Sequence, residues 1–163
     1  MLHALSAPRA EARSRNAITL EEIEHPLVRK ALEIWHTARG KRAMPAKTDL
    51  GPRALLPLLK NIALLKVLGG GEEFVFRVVG DQIRLQQGAD MQGKTMAEID
   101  AMLPGHGSVL RRIYKNAVAA RAPLAFRGWY LRPADQHPFC HEVVILPVAD
   151  DDETVDHLFV VAA

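Results

Sequence analysis

Residues 88–95 read GADMQGKT. The spelling is that of a phosphate-binding loop: a glycine, four residues, then Gly93, Lys94 and Thr95. Such a loop works only where a buried strand leads into it and a helix leaves it, so that backbone N–H groups converge on phosphate oxygens. The preceding DQIRLQQ is polar and helical in pattern. Asp90 sets an anion where phosphate oxygens would lie, and the chain offers no parallel β-α-β crossover to hold such a loop. The one string resembling a Walker B strand, VVILPVAD, is broken by Pro147. The match reads as accidental, and the segment as a loop of another fold.

Working outward, EFVFRVVG alternates, with Phe74, Phe76 and Val78 on one face and Val75, Arg77 and Val79 on the other. Residues 61–68 are apolar and suited to a strand, and Gly69-Gly70-Gly71 joins the two runs into an antiparallel hairpin. Further upstream, Leu27, Ala31, Ile34 and Trp35 recur at helical spacing after Pro26, and Gly40 stops that helix. GKRAMPAKTDLGP is a loop in which Asp49 is placed to cap a short helix over residues 54–59. Residues 1–24 read as an arm and 25–163 as a single domain that includes a flanking helix over 25–39.

Downstream of the loop, residues 81–87 and 95–102 read as short helices. A longer one follows Pro104 and Gly105 with a stripe of Val109, Leu110, Ile113, Tyr114, Ala117 and Val118. Residues 124–131, 139–147 and 155–161 are strand candidates, separated by ADQHP and by an acidic run over 150–153. The order predicts an α+β domain: one five-stranded antiparallel sheet with short helices on one face and an N-terminal flanking helix.

A hydrophobic share of 48% with 25% charged residues is ordinary for a globular chain, and a net charge of +2 argues against nucleic acid as the main partner. The single cysteine, Cys140, rules out an internal disulfide and a Cys-rich zinc site. No apolar run approaches the ~18 residues of a membrane span, so membrane insertion is not expected. The start MLHALSAPRAEARSRNA lacks the apolar core of a secretory leader. These readings lead to an expectation of a cytoplasmic protein.

Four stretches carry a family resemblance: LEIWHTARGKRAMPAKTDLGP, FVFRVVG, GADMQGK and VILPVADD. Together they resemble a bacterial, often stand-alone subgroup of the PAS sensor-domain family. The matching positions are Pro45, Asp49, Pro52, Arg77, Gly80, Gly88, Asp90, Gly93 and Lys94; Lys47 stands where arginine is more usual, and Met91 and Gln92 match loosely. The resemblance implies a PAS-like five-stranded sheet, sensory signalling in place of catalysis, and dimer contacts through the flanking helix. The stripe Leu27, Ala31, Ile34 and Trp35 is the candidate for that contact, since it needs either the sheet's open face or a twin helix as a cover.

Candidate pocket residues are Arg77, Ile83, Tyr114, Trp129 and His141. Arg77 has a second reading as an ion-pair partner of Asp81 or Asp90. Cys140 and His141 are neighbours on one strand and point to opposite faces, so they form no thiolate–imidazole pair; Cys140 reads as a small buried residue, poorly placed for a flavin adduct. Only His137 and His141 stand at a ligand-like spacing, with Pro138 between them, and His106, a conceivable haem ligand, reads as exposed at a helix N-terminus; no metal or haem site is expected, and no cofactor is named. The expected function is a sensory or adaptor domain, homodimeric, that binds a small ligand or an unidentified signalling protein. Two alternatives stand: a cavity enzyme of cone-shaped α+β fold, with Glu142 or His141 facing the pocket and a buried, unpaired Glu142 speaking for it, and a ligand-free interaction module.

Overall fold

The computed structural model describes residues 16–132 and 134–163; most of the N-terminal arm lies outside them. In chain order the elements are β1 (Asn16–Ile18), α1 (Pro26–Arg39), α2 (Pro52–Leu55), β2 (Ile62–Leu68), β3 (Glu73–Val79), α3 (Asp81–Gln87), α4 (Met96–Met102), α5 (His106–Ala120), β4 (Leu124–Leu131), β5 (Pro138–Val148) and β6 (His157–Ala162). The strands form one antiparallel sheet in the order β1-β4-β5-β6-β2-β3. It has six strands where five were expected. The extra one is β1, which pairs Ala17 with Phe126 at the edge of β4, in a stretch whose sequence shows no strand pattern.

α1 opens with Pro26, whose missing N–H costs nothing in a first turn, and the His25 ring accepts from the Leu27 N–H at 3.2 Å. Val28, Ala31, Leu32 and Trp35 are buried, and the helix packs across β5 and β6 on the outer face of the sheet. Burying Val28 and Leu32 contributes roughly 1.5–3 kcal/mol each. The Trp35 indole donates to the Pro147 carbonyl at 2.7 Å. The stripe Leu27, Ala31, Ile34 and Trp35 is therefore not a free face. Ala31 and Trp35 belong to the core, and Leu27 and Ile34 are half-buried against it.

The following loop is fixed to the turn between β5 and β6. Ala149 donates its N–H to the Pro45 carbonyl at 3.0 Å, and Met44 donates to the Asp152 carboxylate at 3.1 Å. Asp49 does not cap the next helix, which begins after Gly51. It accepts from the Ala46 N–H at 2.8 Å and pairs with Arg42.

A bulge alters the predicted parity of β3. Leu64 pairs with Val78 but Leu65 with Phe76, which leaves Arg77 as the extra residue on that strand. Phe74 and Phe76 keep the inner face as the alternation predicts. Beyond the bulge Val79 takes the inward position and Val78 is exposed.

The 88–95 loop is preceded by α3, not by a strand. Gly88 ends α3 at φ 70°, a left-handed conformation that a side chain would strain. Asp90 accepts from the Gln92 N–H at 3.0 Å, and Met91 is buried. Gly93 donates to the Phe76 carbonyl at 2.7 Å, and Phe76 donates back to Lys94 at 3.1 Å. The loop's backbone is thus tied to β3, and GADMQGKT does not have the architecture of a phosphate loop. Gly80 serves a close approach: a Cβ there would lie 2.5 Å from the Leu59 carbonyl oxygen.

Candidate functional site

The inner face of the sheet meets α3, α4 and α5. Three short or medium helices do not cover it completely, and a cavity of about 40 Å³ remains between sheet and helices. Its apolar wall includes Phe76, Met91, Leu110, Ile113, Phe126 and Val143. Tyr114 is held edge-on to Phe74 and Phe76, with ring centroids 5.6 and 6.3 Å away.

One end of this space is polar. Gln87 and His141 line it, each more than nine-tenths buried. Gln87 lies four residues after Ile83, on the same buried helical face. Its Oε1 accepts from the Tyr130 hydroxyl at 2.8 Å and lies 2.7 Å from His106 Nε2, which donates when that nitrogen carries the proton. Tyr130 stacks on the His141 ring at 5.3 Å with only 12° between the planes, and Phe139 stands edge-on to both. Gln86 also lines the cavity, and its Oε1 is buried with no hydrogen-bond partner among the described residues. An acceptor left so costs about 1–3 kcal/mol, an incentive to take up an N–H or O–H donor.

Of the five pocket residues read from the sequence, Ile83, Tyr114 and His141 line the cavity. Arg77 does not: Phe76 beside it faces the cavity, so alternation sets Arg77 on the other face, exposed, and Arg84 is the residue beside both Asp81 and Asp90. Trp129 is 52% exposed, because β4 turns Tyr130 and Phe126 inward and Trp129 outward. Gln86, Gln87, His106 and Tyr130 were missed. The Ile83–Gln87 spacing was the available signal for one of them.

Cys140 is exposed, contrary to the expectation of a buried residue. It pairs across strands with Trp129 on the outer face. α1 covers β5 from Glu142, at its N-terminal approach, to Pro147, at Trp35, so Cys140 lies beyond the covered stretch. The chain's single thiol therefore stands on the opposite face from the cavity.

Glu142 is 5% exposed and is fully partnered. It accepts from the N–H groups of His25 at 2.8 Å and Glu24 at 3.0 Å, and from the Arg127 guanidinium at 2.9 Å. Arg127 also donates to the Glu22 carbonyl. Burial works to raise the Glu142 pKa, but the His25 and Glu24 N–H groups and Arg127 outweigh it and hold the carboxyl below its ordinary value. His141 and Glu142 are thus adjacent residues with opposite duties: one borders the cavity, the other fastens the segment leading into α1.

The model of the PAS domain family matches residues 23–162. Among solved structures, the chain is similar to a sensory box sensor histidine kinase from Vibrio cholerae, at 21% identity and TM-score 0.43 over 71% of this chain and 90% of that one. It is also similar to an RNA-binding light-oxygen-voltage receptor, at 17% identity and TM-score 0.49 over 71% of this chain. The matched part is only 33% of that receptor's length. The PAS domain of an HTR-like protein from Haloarcula marismortui is similar at 20% identity and TM-score 0.40, over 68% and 88% of the two chains. No curated protein matches the chain significantly.

Proposed function

Because the chain belongs to the PAS domain family, we propose that it is a non-catalytic sensory module that takes a small ligand into the inner-face cavity and signals through altered protein contacts. The observation that carries this reading is the cavity with a buried, unpartnered Gln86 acceptor on its wall. An apolar wall with few polar groups suits a mostly apolar molecule that presents one N–H or O–H group. At about 40 Å³ the cavity holds roughly three waters or a ligand of a few heavy atoms, so a bulkier ligand requires α3 to move outward. α3 is seven residues long and ends at Gly88, which makes it the smaller barrier to such movement.

The pairing of His141 and Glu142 supports a route for the response. A ligand that shifts His141 acts on the strand that also fastens the approach to α1. It would move the population between docked and released forms of that segment to the extent that it binds them unequally. A homodimer or a signalling partner is the natural reader of that change. Of the two strand-borne groups the cavity-enzyme alternative could use, Glu142 is paired and stands on the other face, which leaves His141 alone at the cavity. A thiol adduct with a ligand in the cavity has no donor within it, since Cys140 is on the outer face.

Native mass spectrometry of the freshly purified protein, set against its denatured mass, tests the reading. A released small molecule whose binding is weakened in a Gln86→Leu variant is expected. A clean mass, together with no thermal shift from any member of a library of small apolar alcohols, amines and amides, would overturn ligand sensing at this site.

A further inference from the structure

Between Ile34 and Gly71 the sequence contains a single carboxylate, Asp49, and Arg42 is paired with it. Lys41, Lys47, Arg53 and Lys60 in the same stretch are exposed and enter no ion pair with another described residue. In the fold the acidic turn over 150–153 lies against the Met44–Pro45 part of this stretch, and Asp81, next to the Gln82 N–H that donates to the Lys60 carbonyl, pairs with Arg84, so Arg53 and Lys60 are the cations on the 53–60 turn without an ion pair to another described residue. The same stretch carries exposed leucines. α2 and the tight turn after it, Leu56–Leu58, fold around the buried anchors Leu55 and Leu58. Arg53, Ala54, Leu56, Pro57, Leu59 and Lys60 consequently face solvent. Leu56 is 66% exposed and Leu59 45%.

A single exposed leucine needs no explanation. Two on one short turn, bracketed by Arg53 and Lys60 with no acid between, match the chemistry of a membrane interface. There, apolar tips enter the boundary of the acyl chains while cationic heads remain among lipid phosphates. We propose that the 53–60 turn is a membrane-surface contact that seats the protein on a bilayer containing anionic phospholipid. The seating is peripheral: no helix among the described residues is long and apolar enough to cross a membrane. Shape favours lipid over an acidic protein segment. A protein helix recognised through its apolar face lies in a groove, whereas a leucine two-thirds exposed projects beyond its surroundings. The surface is separate from the sensory cavity, to which none of residues 53–60 contributes.

The test is co-sedimentation of the full chain with vesicles of phosphatidylcholine alone and of phosphatidylcholine mixed with an equal amount of phosphatidylglycerol. Binding at least roughly tenfold stronger to the anionic vesicles is expected at low salt, lost near 1 M salt where screening acts over ~3 Å. Arg53→Glu with Lys60→Glu should weaken it by at least about tenfold. Leu56→Ser with Leu59→Ser should weaken it comparably; both positions are exposed, so an unchanged circular dichroism spectrum accompanies the loss. Equal binding to both vesicles, no binding to either, or anionic binding indifferent to the leucine pair would overturn the proposal. So would capture of polyglutamate in place of vesicles, which would make the surface a contact for acidic protein.

Discussion

The face of the sheet under α1 and the face under α3–α5 bury similar side chains, yet they are closed in different ways. On the outer face one 14-residue helix lays a continuous ridge of Val28, Ala31, Leu32 and Trp35 over β5 and β6, and the one polar atom of Trp35 is satisfied by Pro147. On the inner face three helices converge and leave a cavity with Gln86, Gln87 and His141 on its wall. A single long helix can match the pleat of a sheet along its length. Several short ones meet at their ends, where packing is hardest to complete and where polar groups gather. One face is closed by a continuous ridge and the other keeps a cavity with polar groups on its wall, and β5 is shared by both.

The strongest way to break this comparison is at Trp35. Trp35→Ala should cost about 3–5 kcal/mol in urea unfolding, since it empties a buried position and removes the donor to the Pro147 carbonyl. A loss below about 1 kcal/mol would mean that the outer face is not the closely packed side. Next in size is Glu142→Gln, which removes the buried charge paired with Arg127, leaves it the more distant Glu24, and is expected to cost about 1–3 kcal/mol near neutral pH. The pH dependence has a definite sign. The folded carboxyl titrates below its unfolded value, so its contribution is full above the ordinary carboxylate range and is lost as pH falls through the lowered value. The variant should therefore lose less stability than the parent on acidification. Identical acid titrations of the two would show that Glu142 is not the fastener.

The smallest effect gives the sharpest contrast. Ala31→Val on the outer face should destabilise by about 1–3 kcal/mol through overpacking. Ala162→Val, on the cavity wall, should be neutral or stabilising by up to about 1 kcal/mol, because it fills space already empty. Equal costs at the two sites, measured by thermal unfolding, would erase the distinction between the faces.

Much of the domain was legible locally. The glycine-joined hairpin, the helices on either side of GADMQGKT and the three closing strands fall within a residue or two of their predicted places. The polar run before Gly88 was enough to reject a phosphate loop. The site was only partly legible. Ile83, Tyr114 and His141 came from helix and strand faces; Arg77 failed because alternation gave β3 two faces without saying that the helices cover the one with Phe76. Trp129 and Cys140 failed because residues 141–148 are buried on both faces, so the apolar run carried no sign of which face held the cavity or where α1's cover stopped.

By itself, then, the sequence determined the antiparallel α+β order, the positions of its turns and the identity of GADMQGKT as a structural loop. Those features rest on spacing, turn chemistry and capping among near neighbours. Tertiary structure alone decided that β1 joins β4, that α1 closes the outer face, and that Gln87, His106, Tyr130 and His141 meet beside one cavity. Each of these depends on residues far apart in the chain finding a shared surface, and local periodicity holds no record of which surfaces will meet.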